Sequence, residues 1–432
     1  MLNGSANEQG GTSPFRWTIF ALVFLGEVAQ GLLWFSAMPL VLAVEKDLHL
    51  QASQTALWVN LRLGFVCLLS IPLGLMIDSW GSKRTGRIGL LLLGVGGIAR
   101  GLVGSYSTLL LATAVFSLGS VILSIALPKA LASWFSSHQM GMASGIYLAG
   151  YGTGASLALS VIHPMFGNNW QECLRVTGLV GLLAALLWWM FAREPEGGER
   201  HAAELAGPQP IATMFLQVAR TPVTWLLTMI FLFYASAFTL WFTFGFAFLS
   251  RYRAVNQNTA GVLLMFTMLG YTAAALTMPA LSDRWGYRRP FLMFFSVLAS
   301  ALFLLMTVWK WPFGIGFVAF LIGTFFGTTN PLVFTIAAEA VELGSSVMGA
   351  SVGIISSVSS IAGFLVPTLA GAYLGSLATA DEHHYRMVLT IAAACVGMVL
   401  ICALLLRETG RSSQRALTKG APLHPLIPTS EP

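Results

Sequence analysis

The chain has 432 residues, 56% of them hydrophobic and only 9% charged, with a net charge of +6 and a mean hydropathy of +0.76. A soluble domain carries about 25% charged residues, so the composition excludes a water-exposed globular domain and makes the lipid bilayer the expected solvent. The four cysteines, Cys67, Cys173, Cys395 and Cys402, have no metal-ligand spacing and predict neither a disulfide framework nor a metal site.

In chain order, residues 1–16 are a polar tail with no cleavable leader. A spanning helix needs roughly 20 apolar residues. Twelve such runs follow, at about 17–42, 55–77, 86–104, 108–134, 140–163, 173–192, 222–250, 258–281, 289–308, 312–337, 345–372 and 384–406. The longest polar connection, 193–221, separates an N-terminal six-helix bundle (17–192) from a C-terminal one (222–406), and a tail occupies 407–432. With the N-terminus inside, fourteen of the 23 basic residues fall in inner segments and six in outer ones. That bias predicts cytoplasmic N and C termini. It also accounts for the basic pI without a nucleic-acid partner. The expected fold is all-α, with twelve transmembrane helices in two halves, as a multi-pass protein of a bacterial cytoplasmic membrane.

Two motifs recur at half-length. GLMIDSWGSKR (74–84) returns as PALSDRWGYRR (279–289), with Asp78, Trp80 and Gly81 matched by Asp283, Trp285 and Gly286 at an offset of 205. Both copies fall at inner turns, after the second and eighth runs. Carboxylates there can pair with nearby arginines or accept bonds from a helix N-terminus, and glycine suits a tight turn. Gly141 and Gly145 return as Gly349 and Gly353 at an offset of 208, where small residues four apart permit close helix approach.

On these residues the chain, over about 15–410, resembles the major facilitator superfamily. The family's loop pattern G-x-L-a-D-r-x-G-r-r/k is met by Gly74, Asp78, Gly81 and Lys83, and again by Asp283, Arg284, Gly286 and Arg288. Met76, Ser79, Ser82 and Pro279 depart from it. The resemblance implies two six-helix halves, alternating access and a site near the membrane midplane between them. It also implies a monomer with no cofactor, and a gating role for Asp78, Gly81, Lys83, Arg84, Asp283, Gly286 and Arg288. Within the superfamily, residues 128–150 and 168–181 look like the branch of cyanate and nitrate/nitrite permeases and related anion carriers. Ser70 stands where nitrate porters carry an arginine in span two, and span eight has none, which counts against nitrate itself. Span five lacks the proline motif of drug exporters.

An ionisable residue at membrane depth costs at least ~2.5–3.5 kcal/mol, so it is a functional candidate by default. Four occur in the spans of the first half: Glu27, Arg62, Arg100 and Lys129. At ~1.5 Å per residue, Glu27 and Arg62 lie near mid-membrane, Lys129 nearer the inner surface and Arg100 near the outer one. Arg100 is expected to snorkel to the interface. Glu339 and Glu342, at the inner end of span ten, are expected to meet basic loops. Glu27 and Arg62 form either a structural ion pair or a working site, in which Arg62, with Lys129, holds an anionic substrate and Glu27 exchanges a proton. Polar-aromatic stripes at helical spacing add Trp34, Trp58, Tyr234, Trp241 and Tyr271 as substrate-binding candidates.

The expected function is secondary transport of a small anionic solute, a carboxylate or inorganic anion, coupled to a proton or a counter-anion. The alternative is a proton-coupled exporter of apolar or cationic compounds, with Glu27 as its acidic receptor. No phosphate-binding loop, nucleophile constellation or metal-ligand cluster supports an enzyme.

Overall fold

A computed structural model describes residues 15–135, 137–193, 218–253, 255–309, 314–340, 348–377 and 379–410. Residues 1–14 and 411–432, most of the 193–221 connection, Glu342, the side chain of Asp78 and the surroundings of Gly141 and Gly349 lie outside that description.

The described residues form twelve helices of nineteen residues or more: α1 (Arg16–Phe35), α2 (Ala52–Trp80), α3 (Ser82–Arg100), α4 (Tyr106–Trp134), α5 (Ser137–Phe166), α6 (Trp170–Phe191), α7 (Pro222–Ala247), α8 (Gln257–Trp285), α9 (Arg289–Val308), α10 (Ile315–Glu339), α11 (Met348–Leu374) and α12 (Glu382–Leu405). Ten segments are long and apolar enough to cross a membrane. The first apolar run is broken rather than continuous. α1 ends at Phe35, a 3-10 turn with Pro39 follows, and a short helix resumes at Val41–Asp47. Proline has no N–H to continue the ladder, which explains the break. The third run stops at Arg100, short of the expected residue 104.

Packing repeats itself under a shift of six helices. α1 packs on α5 as α7 does on α11, α2 on α4 as α8 on α10, and α3 on α6 as α9 on α12. The halves meet through α2 against α11 and α5 against α8. Prolines follow the same plan: Pro72, Pro128 and Pro164 sit inside α2, α4 and α5, and Pro279, Pro331 and Pro367 inside α8, α10 and α11. Each deletes one helix hydrogen bond and permits a bend, at the seam in α2, α5, α8 and α11 and behind it in α4 and α10.

The repeated turns do what their glycines allow. Gly81 (φ 81°) alone joins α2 to α3, and Gly286 (φ 74°) ends α8. Beyond Gly286, the Arg288 guanidinium binds Glu339 (Nε to Oε2, 3.1 Å), Ser282 (Nη1 to Oγ, 2.9 Å) and Asp283. Those bonds, Glu339 first, hold its pKa above the ordinary arginine value. Glu408, just past α12, accepts from the Arg288 and Arg289 backbone N–H groups at 2.7 and 3.1 Å. A carboxylate from a distant segment thus caps α9, where the helix dipole favours negative charge.

At the opposite end the halves close tightly. Ala52 N–H donates to the Gly375 carbonyl (2.8 Å), and Ser376 Oγ donates to Glu45 (2.6 Å). The Gly261 backbone of α8 presses on the Leu159 carbonyl of α5, where a Cβ would collide.

Gly261→Ala is expected to cost about 1–3 kcal/mol through overpacking, read as a lower thermal midpoint in detergent. Gly74→Ala, with open space around its Cβ, is expected to be neutral or slightly stabilising. Glu408→Ala removes the α9 cap and is expected to cost about 0.5–2 kcal/mol, checked by the same measurement.

Candidate functional site

Midway along α1, Glu27 and Gln30 are both buried, one turn apart on one face. Gln30 Nε2 donates to both Glu27 oxygens, at 3.3 and 3.4 Å. Ser120 Oγ of α4 donates to Gln30 Oε1 (2.9 Å), and Arg62 Nε of α2 donates to Ser120 Oγ (2.5 Å). The four side chains form one relay with every donor pointing from Arg62 towards Glu27. Among the described residues no direct ion pair joins the two charges. Arg62 lies over the Trp34 ring at 4.7 Å, a cation–π contact, and the Trp34 indole is fixed by a bond to the Val59 carbonyl (3.1 Å). The two terminal nitrogens of Arg62 have no hydrogen-bond partner among the described residues. From α5, Tyr147 lies beside the Glu27 carboxylate, and Tyr151 meets the Trp34 ring at 6.2 Å.

The second half supplies a facing wall without charge. Phe238 of α7 meets Trp34 at 6.4 Å, Tyr234 stacks on Phe231 at 5.0 Å and on Phe238 at 6.0 Å, and Asn330 of α10 donates to the Tyr234 hydroxyl at 3.3 Å. Tyr271 of α8 lies within electrostatic reach of Glu27. The arrangement offers one cation with an open fork, one carboxylate linked to it indirectly, and an aromatic wall with amide and phenol groups. It can hold an anion and a proton together. No cluster among the described residues has metal-ligand character.

Of the residues named from sequence, Glu27, Arg62, Trp34, Tyr234 and Tyr271 come together here. Trp58 and Trp241 are buried elsewhere, giving their indole N–H groups to Thr113 Oγ1 (3.1 Å) and Thr267 Oγ1 (3.0 Å). Lys129 is nine residues beyond Ser120 on α4, about 13 Å along the axis, and donates to the Ile77 carbonyl (3.3 Å) at the end of α2. It is not beside Arg62. Arg100 does not snorkel: it is 1% exposed, donates to the Leu33 carbonyl (3.1 Å) and lies over Phe116 at 4.0 Å. It meets the negative end of α1, where a cation is favoured. Among the turn residues, Lys83 accepts the Trp188 indole N–H on its carbonyl (3.1 Å), Arg84 is exposed, and Asp283 and Arg288 pair within the second half. Glu339 joins them, meeting a basic turn as the sequence suggested.

Sequence reasoning did not single out Ser120, Tyr147, Tyr151 or Asn330 for the site. Serine, tyrosine and asparagine in apolar runs carry no charge signal. Only their register with Glu27 and Arg62 on neighbouring helices gives them away, and that register needs the packing.

The sequence profile of the Major Facilitator Superfamily matches residues 23–367 and, in a second overlapping match, 255–430. The galacturonate transporter of Dickeya chrysanthemi is 22% identical over 44% of this chain, a match that spans 55% of that relative's length. The nitrite extrusion protein of Bacillus subtilis is 24% identical over 81% of this chain and 85% of its own. Among solved structures, an inward-facing, occupied bacterial homologue of the human lysosomal transporter Spinster superposes with a TM-score of 0.73 at 15% identity, covering 91% of this chain and 97% of that one. A profile spanning most of the chain, a packing plan repeated between two sets of six helices, and relatives that carry anions lead to one assignment: the chain belongs to the Major Facilitator Superfamily, as a multi-pass membrane protein of its transporter class.

Proposed function

We propose that this protein carries a small anion through the seam between its halves by alternating access, with proton movement at Glu27 coupled to anion binding at Arg62. The observation that carries this is the uncommitted guanidinium fork of Arg62, held over Trp34 at 4.7 Å and separated from Glu27 by Gln30 and Ser120. Arginine binds carboxylates and oxyanions through two parallel N–H groups. An anion on that fork adds a negative charge beside Glu27, and protonation of Glu27 restores neutrality in a medium where net charge is costly. Relatives named for nitrite and galacturonate both handle anions, in line with such a fork. With the termini placed inside, the end sealed by Ala52, Gly375, Ser376 and Glu45 is the outer one, so the site opens inward. Lys129 then belongs to the inner turn region, and Gly81 and Gly286 to the hinge-like turns of the two halves. The competing function, export of apolar or cationic compounds, has the aromatic wall in its favour, but a cation would face Arg62.

Arg62→Ala is expected to weaken anion binding about 10–100-fold, the loss of a charge-assisted pair worth about 1.5–3 kcal/mol. Arg62→Lys is expected to recover only part, because a point charge lacks the fork. The readout is thermal unfolding of purified protein against anions, cations and neutral metabolites, where ligand at 100 times Kd stabilises by about 2.7 kcal/mol. A panel in which only cations shift the transition would sink the anion function. Glu27→Gln is expected to abolish uptake driven by a pH gradient in proteoliposomes while leaving substrate exchange intact. Unchanged gradient-driven uptake would remove Glu27 from the coupling role.

A further inference from the structure

We propose that the second half carries a separate subsite, built on Asn330 and Tyr234, for the uncharged end of the solute, and that the substrate is an organic monocarboxylate with a hydrogen-bonding body. This rests on the anion function proposed above and goes on to its substrate class.

Charge sets the first limit. Arg62 is the cation at this depth, and Lys129 sits about 13 Å away along α4, occupied with the end of α2. One fork neutralises one carboxylate. A second negative charge on the solute would be buried without a cation, which is expensive at membrane depth. The opposite wall sets the second limit. Asn330 is half-buried, and among the described residues its side chain makes one hydrogen bond, the long 3.3 Å contact to Tyr234. Its carbonyl oxygen and second N–H are therefore uncommitted. Pro331 follows directly inside α10 and removes a backbone donor there, which permits a bend beside this amide.

Between the two polar ends runs an aromatic floor. Arg62 lies on Trp34, Trp34 meets Phe238 and Phe238 meets Tyr234, each step 6.4 Å or less. An inorganic oxyanion seated on Arg62 would leave Tyr234 and Asn330 untouched, with two rings intervening. A solute that spans them needs a carboxylate at one end, a face that packs on rings, and hydroxyl or carbonyl groups at the other. Such a ligand closes the two halves on itself, because its ends belong to different halves.

The test uses thermal-shift titration of the purified full chain with nitrate, acetate, lactate, gluconate and succinate. Gluconate is expected to bind wild type at least tenfold more tightly than acetate or nitrate, and succinate no more tightly than acetate. Asn330→Ala is expected to erase the gluconate advantage while leaving acetate affinity unchanged, which also reports that the variant is folded. Tyr234→Phe, a milder change, is expected to reduce the advantage several-fold. Nitrate or acetate binding as tightly as gluconate would overturn the subsite while leaving the anion function standing. So would an Asn330→Ala loss shared equally by all five anions. If none of the five shifts wild type, both the subsite and the anion function fail.

Discussion

Everything at the centre of this molecule depends on how one guanidinium is held inside an apolar bundle with its terminal nitrogens uncommitted. A buried charge needs compensation, and a direct Arg62–Glu27 pair would supply it while consuming the fork. Here Ser120 and Gln30 stand between. The relay links the two groups, occupies only Nε of Arg62, and leaves the terminal nitrogens without a hydrogen-bond partner among the described residues. Trp34 shields the flat face. The buried Glu27 carboxyl is partnered without closing the guanidinium fork, which is what the proposed anion binding requires of an empty site.

The fold was largely legible in the sequence, because membrane helices announce themselves by length and apolarity and duplication announces itself by offset. Each of the twelve runs overlaps a helix, ten segments being long and apolar enough to cross a membrane, and both repeated turns have glycines at positive φ. The departures have local causes: Pro39 breaks the first run, and Arg100 turns inward because α1 ends beside it. The candidate site was half legible. Charged residues stand out in an apolar chain, so Glu27 and Arg62 could be named. The aromatic candidates could not be sorted, since a stripe at helical spacing looks the same whether it faces a cavity or a neighbouring helix. Tyr234 and Trp34 reach the site, whereas Trp58 and Trp241 tie helices together within their own halves.

The two halves share a plan but not a chemistry. Their packing, prolines and turns correspond, yet the intramembrane charges lie in the first half, and the second contributes phenol, amide and rings. In the second half the ionic weight lies instead at the helix ends, where Arg288 gathers Asp283 and Glu339 and Glu408 caps α9. In the proposed cycle, the first half would hold the charge and the second, braced at its helix ends, would move against it.

The described polar contacts across the seam are modest. Asn60 Nδ2 reaches Thr243 Oγ1 at 2.9 Å, Ser70 and Ser357 share a hydroxyl contact at 3.0 Å, and Ser376 reaches Glu45 at 2.6 Å. A neutral hydrogen bond of this kind is worth about 0.5–1.5 kcal/mol net, because water replaces it readily, and one to a carboxylate about 1.5–3 kcal/mol. The first two contacts can exchange partners with water without exposing an ion, whereas the third ends on the buried Glu45 carboxylate. In the proposed alternating-access cycle, parting the halves at that end would uncover one carboxylate, so salt concentration would act on the rate there and little at the two neutral contacts.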